Sequence, residues 1–254
     1  MRILIITQDE PFFLAENIDY LLRHLPDQSN VVGCCLFDAS PFGRRESFVR
    51  KVVKTLYIFG PGFFLHYSVR FLANRFFAKK KLRNVLLLHG VSIIKLTHSI
   101  NHPESIEILK SYDPDLLISI AGNQLFKKSV IELAPKGCLN LHTALLPKYR
   151  GLMPTFWVLK NDEKETGVSV FFVDEGIDSG PILVQDRIQV DNRSQQDLIR
   201  HTKKIGMDAI IKAVKLIDGD DYSLIENNDD EMTYYSFPNR KDVRAFLKSG
   251  KRFY

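Results

Sequence analysis

GCLNLHTALLPKYRGLMPTFWVLKNDEKETGVSVFFVDEGIDSGPIL, residues 137–183, is the stretch from which the rest of the chain is read. Cys138 to His142 has the look of a strand end, and alternation sets Asn140 and His142 on one face of it. Leu145-Leu146-Pro147 stops the strand, because proline has no N–H to give to a ladder. A second apolar run, Gly167 to Val173, leads into Asp174-Glu175-Gly176-Ile177-Asp178-Ser179-Gly180, a turn-rich loop with three carboxylates.

Working outward, Ile3 to Thr7 is a continuous apolar run of the kind a doubly covered parallel strand shows. Phe12 to Leu25 carries helical spacing and Val31 to Phe37 is a second buried strand. Strand, helix, strand at this spacing implies a parallel sheet with crossover helices. Leu116 to Ile120 is a further buried strand. Ala121 to Leu125 forms the loop at its C-terminal end, the edge where open α/β sheets hold ligands. No Gly-x-Gly-x-x-Gly follows the first strand, so a dinucleotide site has no support. Downstream come a strand over 181–190 and a long helix over 194–217 that Ser194 can cap. The polar tail then turns aromatic at Tyr234-Tyr235-Ser236-Phe237-Pro238.

The 254 residues are 45% apolar and 26% charged, ordinary for a soluble globular chain. Three cysteines without ligand spacing read as buried reduced thiols. The first apolar run is too short for a signal peptide, so a cytoplasmic protein is expected. His98 and His102 have no carboxylate or cysteine at ligand spacing and read as solvated loop residues, with no metal expected. The net charge of +5 is uneven: residues 44–83 carry eleven bases and one acid, +10, which leaves −5 for the rest. That segment divides at Gly60-Pro61-Gly62 into two helical pieces, 47–59 and 63–78, neither near the ~20 residues a bilayer span needs. It reads as a pair of helices on the sheet edge with a solvated basic face. A membrane-surface patch or a surface for an anionic substrate or partner are the alternatives.

Asn140-x-His142, Leu145-Leu146-Pro147-x-Tyr149-Arg150-Gly151, Thr166-Gly167-Val168 and Asp174-Glu175-Gly176-Ile177-Asp178-x-Gly180 together resemble the formyltransferases that use 10-formyltetrahydrofolate. Many relatives have Ser where this chain has Ala144. The resemblance implies an α/β fold, a Rossmann-like, mostly parallel sheet with helices on both faces and a short C-terminal appendage. The catalytic domain would span 1–190, with a basic helical insertion at about 44–83, and a C-terminal helix and tail would fill 191–254.

Formyl transfer to an amine needs a donor for the developing oxyanion and a path for the amine proton to the folate nitrogen. His142 suits either a donor or a base role, and Asn140 supplies an amide N–H. The residues alone leave Asp178 and Asp174 nearly even as the partner carboxylate. The resemblance favours Asp178, giving Asn140, His142 and Asp178 as the catalytic set with no metal. It also implies that the folate lies against Gly122, Asn123, Gln124 and Leu125, and against Val173, Asp174, Glu175, Gly176 and Ile177. Arg150 is expected to meet an acceptor phosphate, with Tyr149 and Pro147 beside it, and Leu146–Pro147 is suggested to be cis.

The Tyr149-to-Pro154 run is similar to that of enzymes formylating nucleotide-linked amino sugars, so a sugar nucleotide is the expected acceptor. Methionyl-tRNA formyltransferases resemble the motif closely but carry a further C-terminal domain. Only 76 residues follow Asp178, too few for it, and nucleic acid is not expected as a partner. Another small amine, and a folate-binding protein without turnover, are the remaining readings. The aromatic tail is a candidate surface for the acceptor or for a homodimer.

Overall fold

The computed structural model describes residues 1–39, 47–76, 81–122 and 124–254, the side chains of Phe48 and Arg75 excepted. Expectations that fall on Asn123 and on the bases at 44, 45, 79 and 80 lie outside the described residues.

Seven strands form one sheet in the order β3-β2-β1-β4-β5-β7-β8. These are β1 (Arg2–Gln8), β2 (Asn30–Phe37), β3 (Ile93–Ile94), β4 (Leu116–Ile120), β5 (Cys138–His142), β7 (Glu165–Phe172) and β8 (Ile182–Gln189). Pairing is parallel from β3 through β5; β7 then runs against β5 and β8 against β7. Alternate residues of each strand feed the two faces. Ile3, Ile5, Cys34 and Ile118 point to one core, and Leu4, Ile6, Cys35 and Leu117 to the other. The first core is closed by α1 (Leu14–His24), α4 (Leu82–Leu88) and α8 (Gln195–Gly219), the second by α5 (Pro103–Lys110) and α6 (Lys128–Ile131). Helices on both faces of a mostly parallel sheet are what the sequence implied.

The division expected at 190 falls in the turn between β8 and α8, and α8 puts Met207, Ile210 and Val214 into the main core. Past it, the chain turns back to the active-site side through β9 (Tyr234–Tyr235) and α9 (Arg240–Lys248). Here the structure corrects the tail reading. Phe246 and Phe253 pack on Phe156 of α7 (Pro154–Lys160), and Tyr235 stacks on Trp157 at 4.7 Å. These rings are core, not a bare surface, whereas Tyr222, Tyr234 and Tyr254 are exposed.

Cys34, Cys35 and Cys138 are free and buried. Burial pushes all three thiols up, Cys35 and Cys138 to about 12, so almost no thiolate exists near neutrality. Ellman's reagent at pH 8 should therefore titrate none of the three in the folded protein and all three once it is unfolded. A fast-reacting thiol in the native state would contradict this packing.

Candidate active site

β5 delivers Asn140 and His142 to one face while Leu139 and Leu141 enter the main core. His142 is buried, and Asn140 is half-buried with no hydrogen-bond partner for its amide among the described residues. His142 Nε2 lies 2.7 Å from the Tyr149 carbonyl. A carbonyl only accepts, so Nε2 carries the hydrogen in this contact and Nδ1 is the nitrogen left for a second partner. Nδ1 faces Asp178 Oδ2 at 3.4 Å. The same Oδ2 accepts the Gly151 N–H at 2.8 Å. One imidazole and one carboxylate are thus aligned by two pieces of the turn that follows β5.

That turn is irregular for definite reasons. Leu146–Pro147 is cis, as suggested above, and Tyr149 sits at φ +61°, which aims its carbonyl at His142. Gly151 lies at φ +97°, and a Cβ there would stand 2.3 Å from the Tyr235 carbonyl. Only glycine lets β6 (Arg150–Gly151) pair with β9 so closely. The acidic loop is closed by Gly180, where a Cβ would meet the Phe172 carbonyl at 1.8 Å. Within that loop, Asp174 Oδ1 accepts from Gly176 N at 3.0 Å and Ser179 Oγ at 2.7 Å, holding the turn, while Asp178 turns to His142. At position 144, Ala has no hydroxyl; Ser169 of β7 donates to its carbonyl at 2.8 Å and accepts the Leu146 N–H.

The residues expected to meet the acceptor are placed otherwise. Arg150 is buried, and its guanidinium donates to Asp229 Oδ1 at 2.7 Å and to the Asn227 carbonyl and Oδ1 at 3.1 and 2.9 Å. Asn227 in turn donates to the carbonyls of Asp178 and Gly180, both at 2.9 Å. Arg150 therefore clamps the tail under the 174–180 loop, and its remaining donor, Nε, is buried without a partner among the described residues, so the guanidinium offers no exposed face to a phosphate. Tyr149 donates its hydroxyl to Glu163 at 2.5 Å, and burial together with that carboxylate pushes the hydroxyl's pKa up. Pro147 and Tyr149 line a cavity of about 310 Å³ with Lys148, Glu163 and Gln185, a space that His142 does not reach.

Sequence reasoning missed Asn227, Thr233 and the β6–β9 ladder, in which Thr233 O accepts the Arg150 N–H at 2.9 Å. The one signal available was an Arg-Gly pair that, if buried, needed distant acceptors. Arg150→Met should cost about 2–3 kcal/mol of stability, since charge-assisted hydrogen bonds are lost at the buried end of the clamp. Thermal unfolding measures it, and an unchanged Tm would remove the clamp.

The expected folate positions flank this centre. Gln124 is fixed by accepting the Ile100 N–H at 3.0 Å, Val173 N donates to the Cys138 carbonyl at 2.7 Å, and Leu125, Gly122, Glu175, Gly176 and Ile177 are exposed. His98, His102 and Glu104 cluster on the exposed surface, where His102 caps α5 by accepting the Glu104 N–H.

The sequence profile of the formyl transferase family matches residues 72–214. The chain belongs to that family. A methionyl-tRNA formyltransferase of Kosmotoga olearia is 38% identical over 166 residues, 64% of this chain and 52% of its own length. The chain spans about half the length of the curated relatives it matches. Among solved structures, phosphoribosylglycinamide formyltransferase from Anaplasma phagocytophilum superposes with a TM-score of 0.63 at 17% identity, over 94% of this chain and 99% of that one. An N-formyltransferase from Helicobacter canadensis in complex with folinic acid and dTDP-3-aminofucose gives 0.59 at 19% identity, over 95% and 72%. These formyltransferases share the fold. The clamp partners Asn227 and Asp229 lie beyond the matched region.

Proposed function

We propose that this protein transfers a formyl group from 10-formyltetrahydrofolate to a primary amine, most readily that of a nucleotide-linked amino sugar. The observation that carries the reaction is the pairing of His142 with Asp178 on the strand face where the Asn140 amide has no partner among the described residues. The residues fit a folate co-substrate: on the loops that follow β4 and β7, either side of β5, the Gln124 side chain is held by the Ile100 N–H, the Val173 N–H is bonded to the Cys138 carbonyl, and Leu125 and Ile177 are exposed apolar side chains. Asn140 donates to the formyl oxygen as negative charge develops on it. Asp178 Oδ1, which has no partner among the described residues, takes up the amine's hydrogen bond, and His142 Nδ1 stabilises the carboxylate beside it. The amine nitrogen bonds to the formyl carbon while the carbonyl electron pair moves onto the oxygen, and the return of that pair then breaks the bond from the carbon to folate N10. The proton leaving the amine passes through the Asp178–His142 pair to N10.

Support for a sugar nucleotide comes from the Tyr149-to-Pro154 run and from the likeness to the N-formyltransferase complexed with dTDP-3-aminofucose. The 38% identity to a methionyl-tRNA formyltransferase favours tRNA as the second reading. Tetrahydrofolate release across a panel of amino-sugar nucleotides, with methionyl-tRNA alongside and His142→Asn as the blank, separates them. Turnover on a sugar nucleotide that the variant lacks is the expected result. Turnover on tRNA alone would overturn the acceptor assignment.

A further inference from the structure

α3 (Pro61–Phe76) is built inside out. Among its described polar side chains, Arg70 and Asn74 face the protein. Arg70 donates to Gln196 at 2.8 Å and lies over the rings of Phe12, Phe13 and Tyr67, and Asn74 donates to the Pro11 carbonyl at 2.8 Å. Its solvent side is apolar: among the described side chains of α3, each exposed one is apolar, and Leu65, Val69, Leu72 and Phe76 recur at helical spacing along it. Phe76 is 82% exposed. The preceding α2 (Phe48–Phe59), which packs on α3, adds Val49 and Val53 to the exposed set. Eleven of the 21 exposed large apolar side chains among the described residues fall between 49 and 88, so this is a concentrated face, not the scattered surface leucines of any soluble protein. The sequence reading expected a solvated basic face here; the helices instead turn their apolar residues outward.

Charge indicates what covers the face. From Ser47 to Pro103 the chain has ten Lys or Arg and no Asp or Glu; Arg70 faces the protein and Arg83 pairs with Asp9 at 3.0 Å, while Arg50, Lys81 and Lys95 are exposed. A second copy meeting this face across a two-fold axis would set two acid-free segments against each other, which like-charge repulsion opposes. An anionic phospholipid surface meets both requirements, apolar side chains entering the acyl boundary and bases paired with headgroups. With 16 residues, α3 is about 24 Å long at ~1.5 Å per residue, short of the ~30 Å hydrocarbon core, and no helix among the described residues is long and apolar enough to cross a membrane. We infer that the α2–α3 face docks the protein on the surface of an anionic bilayer, lying in the interface without spanning it.

Co-sedimentation with vesicles of phosphatidylcholine, with and without phosphatidylglycerol, tests this. The expected result is pelleting with the anionic vesicles only, weakening as salt is raised, and at least about tenfold weaker partitioning for the Leu72→Glu/Phe76→Glu variant. Both positions are exposed, so circular dichroism and the melting curve of the variant should match the wild type. Absence of anionic-vesicle binding, equal binding to neutral vesicles, or a variant that binds as well would each overturn the inference. So would a lipid-free dimer in sedimentation equilibrium that the double substitution dissolves, which would give the face to a second copy.

Discussion

Asp178→Asn should lower kcat by roughly 10²–10⁴, the usual worth of a positioned acid–base group, while Asp174→Asn, four residues away, should cost less than about tenfold. The two carboxylates differ in what holds them. Asp174 accepts from Gly176 N and Ser179 Oγ, and an Asn carbonyl can take both hydrogen bonds with the loop unchanged. An Asn at 178 can likewise keep the Gly151 N–H, so the fold survives. What it loses is the negative charge facing His142 Nδ1, and with it both the hold on an imidazolium and the site that receives the amine proton. The readout is kcat at saturating acceptor, with the melting temperature as a control for folding. Equal losses in the two variants would mean that loop geometry, not the carboxylate at 178, sets the rate.

Asn140→Ala should raise the barrier by ~2.7–4 kcal/mol, which is a loss of about 10²–10³ in kcat, with little change in KM for the folate. Asn140 is held in the sheet through its backbone register with Ser119 and Phe171, none of which the substitution touches. Its side chain has no partner to lose among the described residues, so the cost falls on the transition state and not on stability. A kcat within about threefold of wild type would move the oxyanion donor elsewhere, because one lost donor is worth far more than that.

Much of this was legible in the sequence where local pattern and burial coincide. β4 begins and ends where its apolar run does, because the run is buried on both faces and is bounded by turn residues. The candidate site strand could be read for the same reason: two polar residues at alternate positions inside a buried strand have few structural uses. α7 was not legible. Seven residues give two turns, too few for a period to emerge, and Pro154 at its start reads as a turn although it is well suited to a first helical position. α4 was hidden similarly, since Leu82–Leu88 has no side-chain cap and follows directly on a lysine run. The β6–β9 ladder joins two-residue strands more than 80 positions apart and leaves no periodicity in the sequence at all.

Arg150 shows the limit most clearly. A base in a turn beside a candidate site strand reads as a phosphate ligand, and only its burial, with Asn227 and Asp229 returning from the tail, shows that its hydrogen bonds are made within the protein. The sequence names residue types and spacing; it does not name acceptors 77 and 79 positions away.

The most direct test of the account is a crystal structure of the protein soaked with folinic acid, the stable 5-formyl isomer of the co-substrate. The account predicts the pteridine between the 121–125 and 173–177 loops, with N10 turned toward Asn140 and Asp178 and the intervening space about one hydrogen-bond length from the Asn140 amide, roughly 3 Å. Folate bound away from those loops, or with N10 directed out of reach of both residues, would contradict it.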